Sequence, residues 1–346
     1  MKAKTRKTQS KAKPTPEAKA DKPAARPAKK SSAAPAAKAE KTASAPEQAS
    51  VPRSSIVPCK AGKLAVVHIT DGNEGDCRRL IWSLRSLARY SGIAFDSFVL
   101  TPEGANRPDV EAGAPGVLEH GSVHYISDMG SVLAGLSMTP EGWNRAWPFV
   151  VLYRLGIPLH PAFAGYDRIL YLDTDTLVLS NRVDMFLDAD LSGHELGGVV
   201  DTVQEEHDHI RRNLDVDLRR DFAAKVAGRY GQVLRLRPYV NAGVLLWNMP
   251  EIRKDIPWYK ERLNMFWEAE CRGRFGFLDQ DFVNSMMSVD TGFSMIYNWF
   301  TRSNVEPDHC VIRHYCGRQY GRMLETAVSV GIVSPEEAAA AGGVRR

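Results

Sequence analysis

The sequence predicts an α/β protein whose central sheet is mainly parallel and is flanked by helices. Short apolar runs of strand length alternate with longer stretches in which apolar residues recur at helical spacing. The strand runs are almost continuously apolar, as burial on both faces of a parallel sheet requires. Once the first 60 residues are set aside, roughly 280 remain, enough for one large domain with a full hydrophobic core.

Strands and helices follow one another along this folded part. Residues 64–69 form the first strand run, which stops at the turn-forming residues 70–73 and leads into a helix over 77–90. The further strands are expected at 95–100, 122–127, 168–172, 196–200 and 239–248, and the further helices at 147–155, 203–230 and 257–271. Strands separated by helices indicate crossover connections and therefore a parallel sheet.

The first 60 residues differ from the rest in charge and composition. They carry 15 Lys and Arg against 4 Asp and Glu, a net charge of +11. The remaining residues carry 30 Lys and Arg against 37 Asp and Glu, a net charge of −7, which leaves +4 for the whole chain. Rich in Lys, Ala, Pro, Ser and Thr, this tail is expected to be disordered. We expect it to serve either as a solvated spacer or as an electrostatic contact with anionic lipid, nucleic acid or an acidic partner, without specific nucleic-acid binding.

Residues 61–330 are therefore expected to form the folded domain, and residues 331–346 a short C-terminal tail with a fraying helix. The N-terminal tail lacks an apolar core of the length that a signal peptide requires, and no apolar run reaches the length of a membrane-spanning helix. Five cysteines without a Cys-x-x-Cys pair argue against a disulfide framework or a zinc knuckle. We expect a cytoplasmic protein that can be peripheral at the inner face of the membrane.

The most informative motif is Asp173-Thr174-Asp175, which directly follows the apolar run 168–172. Alternation along a strand would send Asp173 and Asp175 to the same face. Two carboxylates held so close repel each other unless a cation lies between them, and their oxygens suit Mg²⁺ or Mn²⁺. A divalent ion at the carboxyl end of a parallel strand is placed to bind a diphosphate. The alternative is a turn with two solvated aspartates.

Five other short motifs accompany this one in a fixed order. The set is Ile69-Thr70-Asp71-Gly72-Asn73, Tyr153-Arg154-Leu155, Asp173-Thr174-Asp175, Tyr239-Val240-Asn241-Ala242-Gly243-Val244-Leu245-Leu246, Phe277-Leu278-Asp279-Gln280-Asp281 and His314-Tyr315-Cys316-Gly317. In this order and at these intervals it resembles the family 8 retaining glycosyltransferases, which include bacterial lipopolysaccharide galactosyl- and glucosyltransferases and the glycogen-priming glucosyltransferase. The resemblance covers residues 64–322, nearly the whole folded part.

The resemblance implies a GT-A fold, a UDP-hexose donor, Mn²⁺ or Mg²⁺, and a saccharide acceptor such as a surface polysaccharide or lipopolysaccharide precursor. It implies that the metal ligands are Asp173, Asp175 and His314. Donor binding is expected from Ile69, Asp71, Asn73, Arg154, Thr174, Asn241, Ala242, Gly317 and Arg318. The catalytic and sugar-orienting residues are expected to be Gln280, Asp279 and Asp201.

Each of these residues also has a structural interpretation. Asp71 and Asn73 suit an Asx turn before a helix, and Arg154 suits a surface helix charge paired with a nearby acid. Asn241 suits a polar cap at the start of a strand, and a single histidine such as His314 is often structural. The family commonly continues its final motif with Lys-Pro-Trp, which this chain lacks, so Arg318 or Arg322 would supply the missing positive charge.

The implied reaction moves glucose or galactose from UDP to an acceptor hydroxyl with retention of configuration. Gln280 occupies the place where a double displacement would need a carboxylate, and an amide is a poor nucleophile. Attack on the face that the phosphate leaves is therefore favoured, with Asp201 or Asp279 as a covalent nucleophile as the alternative. Two other functions keep the same motifs: a nucleotide-sugar-binding or scaffold protein, and a metal-dependent phosphohydrolase. Against the hydrolase, the sequence offers no second cluster of metal ligands.

Overall fold

The computed structural model describes residues 56–141, 143, 147–201, 238–271, 277–300, 309–317 and 319–342. The strands are β1 (Leu64–Ile69), β2 (Asp96–Leu100), β3 (Val123–Ile126), β4 (Arg168–Leu172), β5 (Thr176–Val178), β6 (Leu196–Val200), β7 (Val240–Asn248), β8 (Val289–Phe293) and β9 (Ile312–His314). The α-helices are α1 (Glu74–Tyr90), α2 (Val110–Gly113), α3 (Met129–Ala134), α4 (Tyr153–Gly156), α5 (Val183–Leu187), α6 (Met249–Arg253), α7 (Ile256–Cys271), α8 (Asp279–Met286), α9 (Tyr320–Ser329) and α10 (Pro335–Gly342).

Seven strands form the central sheet, in the order β3-β2-β1-β4-β7-β6-β8. The pairs β1–β2, β1–β4, β2–β3 and β6–β8 are parallel, whereas β7 runs antiparallel to both β4 and β6. The predicted α/β class with a mainly parallel sheet is confirmed. The reversed direction of β7 is not visible in the sequence, because an apolar run shows burial on both faces but not strand direction.

Helices cover both faces of this sheet. Alternate residues of β1 enter two different apolar clusters: Val67 packs in one with Phe266 of α7, and Val66 packs in the other with Leu84 of α1. Strand alternation produces this division, since successive side chains point to opposite faces. All six residues of β1 and all nine of β7 are buried, so the carboxyl end of β1 is held rigidly where the site forms.

A second, two-stranded sheet brings a distant part of the chain to the end of β4. Strand β5 pairs antiparallel with β9, so that Thr176 lies opposite His314. A further backbone hydrogen bond runs from the amide of Tyr315 to the carbonyl of Asp175, at 2.8 Å. The two acidic residues before β5 and the histidine at the end of β9 are thereby brought side by side.

Two predicted elements differ in detail from the structure. The helix expected over 147–155 is a 3₁₀ helix, Phe149–Leu152, followed by the single α-helical turn of α4. The Asp173-Thr174-Asp175 motif lies in a turn after β4 rather than on a strand, so strand alternation is not what aligns its carboxylates. The helical stretch expected over 203–230 lies outside the described residues, as does the basic tail up to residue 55, so both stay predictions.

The C-terminal helix was expected to fray, but α10 packs against α1. Its Ala341 is buried in a cluster with Trp82, and its Glu337 pairs with Arg85 at 2.7 Å and accepts a hydrogen bond from the Trp82 indole. All five cysteines are free thiols. Within the described residues, no helix has the length and apolar character needed to cross a membrane.

Candidate active site

A tight turn presents the two aspartates of the Asp-x-Asp motif. The amide of Thr176 donates to the carbonyl of Asp173 at 3.2 Å, and the Thr176 hydroxyl donates to the same oxygen at 2.8 Å. The amide of Asp173 in turn donates to the carbonyl of Gly243 on β7 at 2.8 Å. The hydroxyl of Thr174 donates to Asp76 of α1. These hydrogen bonds hold the turn to β5, β7 and α1, and the carboxylates of Asp173 and Asp175 both point towards His314.

Asp173, Asp175 and His314 form a group whose ligand atoms all lie within 4.8 Å of one another. Nε2 of His314 is 3.2 Å from Oδ1 of Asp175 and 3.6 Å from Oδ2 of Asp173. Two carboxylates and one imidazole make an oxygen-rich donor set that suits Mn²⁺ or Mg²⁺. A Cβ on Gly243 would lie 2.1 Å from Cε1 of His314, so glycine at this position is what allows the three groups to meet.

The charges of this group depend on one another. Burial opposes ionisation of Asp175, but the charge of His314 holds the pKa of Asp175 below its ordinary value. Burial would likewise lower the pKa of His314, but Cys316 and Asp175 raise that pKa well above its ordinary value. Without a metal ion, a proton on His314 therefore offsets the negative charge. A divalent cation would replace that proton, because a ligating imidazole must be neutral.

Arg154 is buried, with 6% of its surface exposed, so it is not the surface charge that the alternative interpretation required. Its guanidinium contacts Asp173 at 3.1 Å and Asp279 at 3.0 Å, and donates to the carbonyl of Ala242 at 2.9 Å. It also lies over the ring of Tyr171, 4.1 Å from the centroid. Arg154 thus joins the Asp173-Thr174-Asp175 turn to the residues expected to bind the sugar.

The sugar-side residues are held in fixed orientations at the end of β7 and the start of α8. Gln280 accepts from the amide of Ala242 at 2.9 Å and donates to Asp201 at 3.2 Å, and Asn241 donates to the same oxygen of Asp201 at 3.2 Å. Burial raises the pKa of Asp279 to about 6, although the charge of Arg154 acts in the opposite direction. Asp279 is therefore half-protonated near pH 6 and mostly ionised at neutral pH.

A strained residue precedes this pair. Leu278 has φ 50° and ψ −114°, a backbone conformation that glycine adopts far more easily. Asp281 secures the strained turn by accepting from the amide of Phe277 at 2.7 Å and from the hydroxyl of Tyr239 at 2.6 Å. Strain of this kind persists only where the surroundings over-determine it. The turn directs Asp279 and Gln280 into the cavity.

The first strand-to-helix loop forms the opposite side. Asn73 is the N-cap of α1 and accepts from the amide of Asp76 at 2.9 Å, while Asp71 accepts from the Asn73 amide at 2.9 Å. The Asx-turn interpretation of these two residues therefore describes the local geometry. It does not exclude ligand contact, because both side chains are exposed and line the same cavity as the aspartates.

These turns and strand ends surround one cavity of about 600 Å³. Among the residues expected from the sequence, those that line it are Ile69, Asp71, Asn73, Arg154, Asp173, Thr174, Asp175, Asp201, Asn241, Ala242, Asp279, Gln280, His314 and Gly317. Arg318 lies outside the described residues. Their individual roles stay predictions, but their convergence means that a single ligand can contact them together.

Sequence reasoning missed three residues of this site. Arg79 lines the cavity and lies near Asp175, and its guanidinium pairs with Asp76 at 2.8 Å. Trp147 lines the cavity with 54% of its surface exposed. Asn298 is fully buried and contacts both His314 and Asn241. Only Arg79 had a signal, since it lies in the first turns of α1, directly after the loop expected to bind the nucleotide.

Comparison with known proteins bears on the family and the fold of this chain. The family model for glycosyl transferase family 8 matches residues 140–319. No curated protein sequence gives a significant match. Among solved structures, the apo form of the bifunctional glycosyltransferase WbbM is similar, with a TM-score of 0.53 at 16% identity, over 82% of this chain and 52% of that one. The chain thus spans about half the length of WbbM.

Two smaller proteins are covered almost completely. An active-site mutant of LgtC gives a TM-score of 0.52 at 21% identity, over 79% of this chain and 98% of that one. The apo form of mouse xyloside xylosyltransferase 1 gives a TM-score of 0.50 at 17% identity, over 74% and 98%. At such identities the similarity establishes the fold, which is the GT-A fold predicted from the sequence.

Proposed function

The chain belongs to glycosyltransferase family 8, and we propose that it transfers a hexose, glucose or galactose, from a UDP-sugar to a hydroxyl of a saccharide acceptor. The transfer is metal-dependent and retains the configuration of the anomeric carbon. One observation carries this proposal. The candidate metal ligands Asp173, Asp175 and His314 share a single cavity with a set of polar groups suited to sugar hydroxyls, Asn241, Asp279 and Gln280.

The groups that line the cavity suggest where each part of a UDP-sugar would bind. The end of β1 and the start of α1 would hold the nucleoside, as the first strand-to-helix loop does in open α/β sheets. Asp173, Asp175 and His314 would hold a divalent ion, which when bound supplies positive charge to the diphosphate. Arg79 is a second source of positive charge on this wall. The hexose would then lie against the end of β7 and the start of α8.

The contacts of Gln280 support the proposed retention of configuration. Both ends of its amide are occupied, one by Ala242 and the other by Asp201, so it is fixed as an orienting group and is not poised as a nucleophile. In the same-face route the acceptor oxygen bonds to the anomeric carbon while the bond from that carbon to the phosphate breaks. The acceptor proton passes to the departing phosphate oxygen. The alternative, a covalent sugar on Asp201 or Asp279, would be seen as a glycosyl-enzyme mass.

The proposal is tested by UDP release from a panel of UDP-sugars with Mn²⁺, with and without EDTA. We expect slow metal-dependent release from one sugar in the absence of an acceptor, faster release with saccharide acceptors, and a product whose anomeric configuration matches that of the donor. Release that continues in EDTA would contradict the metal role. Metal-dependent UDP binding without release from any sugar would instead indicate a binding protein of the same fold.

Trp147 offers a flat, exposed aromatic face at the cavity wall, and we propose that an acceptor sugar ring stacks on it. Replacing Trp147 by alanine should raise KM for the acceptor by about fivefold, because an aromatic contact contributes about 1 kcal/mol beyond its buried area. Acceptor-independent release of UDP should not change. Leu118→Ala removes another exposed apolar side chain and is the matched control. An unchanged KM for the acceptor in Trp147→Ala would place the acceptor elsewhere.

The pH dependence should follow Asp279. If its carboxylate accepts hydrogen bonds from sugar hydroxyls, kcat/KM should fall as the pH drops below about 6, where this residue gains a proton in the free enzyme. The raised pKa also means that the folded state keeps this proton between pH 3.8 and about 6 while the unfolded chain loses it, so stability falls as pH rises through that range. Asp279→Asn should lack both effects. Measured pH profiles of kcat/KM and of urea unfolding would show them.

A further inference from the structure

Asn298 is fully buried and does not line the cavity, yet its side chain contacts two residues that do. Its Oδ1 lies 3.1 Å from Nδ1 of His314, and its Nδ2 donates to Oδ1 of Asn241 at 3.0 Å. The backbone holds it beside β9: the amide of His314 donates to the carbonyl of Trp299 at 2.9 Å, and the amide of Trp299 donates to the carbonyl of Ile312 at 2.9 Å. Asn298 therefore bridges β9 and β7 from inside the protein.

The direction of every hydrogen bond at this bridge is fixed by a backbone amide. The amide of Gly243 donates to the side chain of Asn241 at 2.9 Å, which identifies the contacted atom as the amide oxygen, Oδ1. Asn298 must therefore turn its NH₂ group towards that oxygen and its own oxygen towards His314. An oxygen only accepts, so Nδ1 of His314 carries a proton. Nε2, which faces Asp173 and Asp175, is then the nitrogen left to bind a cation.

The bridge continues to the sugar side. Nδ2 of Asn241 donates to Asp201, and Asp201 also accepts from Nε2 of Gln280. The amide of Ala242 fixes the orientation of Gln280 in the same way that Gly243 fixes Asn241. A continuous chain of hydrogen bonds thus runs from His314 through Asn298, Asn241 and Asp201 to Gln280. In a buried site each bond depends on its neighbours, because a group that loses its partner cannot turn to water.

We propose that Asn298 is a positioning residue that holds His314 in the form whose Nε2 can bind a divalent ion, and that ties this histidine to the sugar-orienting Gln280. The inference rests on the proposed function, since it assigns a partner to a candidate metal ligand. Hydrogen-bond partners behind a ligating histidine commonly fix its tautomer and its ring orientation. Here the same side chain also reaches the sugar-binding wall, so metal binding and sugar orientation are coupled.

Two substitutions separate these two contacts. Asn298→Leu removes both, and we expect the affinity for Mn²⁺ in the presence of UDP to fall by about 10–100-fold. Asn298→Asp keeps an acceptor for Nδ1 of His314 but places a carboxylate oxygen against Oδ1 of Asn241. It should retain most of the Mn²⁺ affinity that Asn298→Leu loses, because His314 keeps its hydrogen-bond acceptor, while KM for the UDP-sugar rises because Asn241 and Gln280 are no longer held.

Asn248→Leu is the matched control. Asn248 is also a buried asparagine, and it ends β7. Its side-chain amide donates to the carbonyls of Leu191 and His194. It does not line the cavity, and it is distant in the sequence from the candidate metal ligands. This variant should lose stability without losing Mn²⁺ affinity. A loss of affinity equal to that of Asn298→Leu would show a general effect of unfolding and would overturn the inference.

Long-range ¹⁵N–¹H correlation of the His314 ring in the wild-type protein with Mg²⁺ and UDP is a second readout that needs no turnover and no variant. We expect a proton on Nδ1 and none on Nε2. A proton on Nε2, or Asn298→Leu protein that binds Mn²⁺ as tightly as the wild type, would overturn the inference. A wild type that binds Mn²⁺ and UDP but releases UDP from no sugar would overturn the proposed transfer instead, and the Mn²⁺ titrations would still decide the role of Asn298.

Discussion

Replacing Asp175 by asparagine is expected to lower the rate of metal-dependent sugar transfer by about 1,000-fold, because a bound metal ion stabilises transition-state charge by several kcal/mol. Asp175 supplies one of the three candidate ligands that converge within 4.8 Å. Asparagine has nearly the same size, so the substitution removes charge and leaves the turn geometry intact. Initial rates of UDP release at increasing Mn²⁺ concentration, together with calorimetric titration of Mn²⁺, measure the effect.

Asp190→Asn is the control for this substitution. Asp190 is exposed, and its carboxylate accepts from the amide of Ser192 at 2.9 Å, a bond that an asparagine oxygen can keep. This variant should match the wild type in both rate and Mn²⁺ affinity. If Asp175→Asn did the same, the cation would not be held by this turn. The acidic cluster would then have only the structural role of pairing with His314.

The position of His314 shows which part of the site a sequence can predict. The order of six motifs placed it with Asp173 and Asp175, although it lies about 140 residues further along the chain. The sequence did not predict how the fold brings His314 there. The three-residue strands β5 and β9 pair antiparallel, and this pairing aligns Thr176 with His314. Strands so short carry almost no pattern of their own, and tertiary contacts decide their pairing.

Arg154 and Asn298 show what local sequence does not contain. In the sequence, a surface arginine and a buried one look the same, and only the positions of Asp173 and Asp279 determine that Arg154 is enclosed. Asn298 belongs to none of the six motifs, and its partners come from β7 and β9. The strand and helix pattern predicted the sheet because burial acts on each segment separately. Side-chain partners depend on how those segments meet.

Replacing Arg154 by methionine is expected to lower the free energy of unfolding by about 3–5 kcal/mol, because it leaves the buried carboxylate of Asp279 and the partly buried one of Asp173 without their cation. The guanidinium of Arg154 contacts both Asp173 and Asp279, and it also donates a hydrogen bond to the carbonyl of Ala242. The loss corresponds to a fall in Tm of about 10 °C for a domain of this size. The pKa of Asp279, about 6 in the intact site, should rise further, since Arg154 opposes the effect of burial. Urea unfolding and the pH profile of kcat/KM measure the two changes.

The cause of this loss can be separated from simple loss of packing. Asp279→Asn removes one of the two carboxylates that Arg154 neutralises, so the double variant Arg154→Met/Asp279→Asn should be more stable than the sum of the single effects indicates. Arg154→Lys keeps the charge, but a single ammonium cannot make the three contacts at once, so its stability should fall between those of the wild type and Arg154→Met. Strict additivity in the double variant would show that Arg154 stabilises the fold through its aliphatic stem and its contact with Tyr171 instead. A double variant that is more stable than the sum of the single effects would show that the charge of Arg154 holds the Asp173-Thr174-Asp175 turn to the residues at the start of α8.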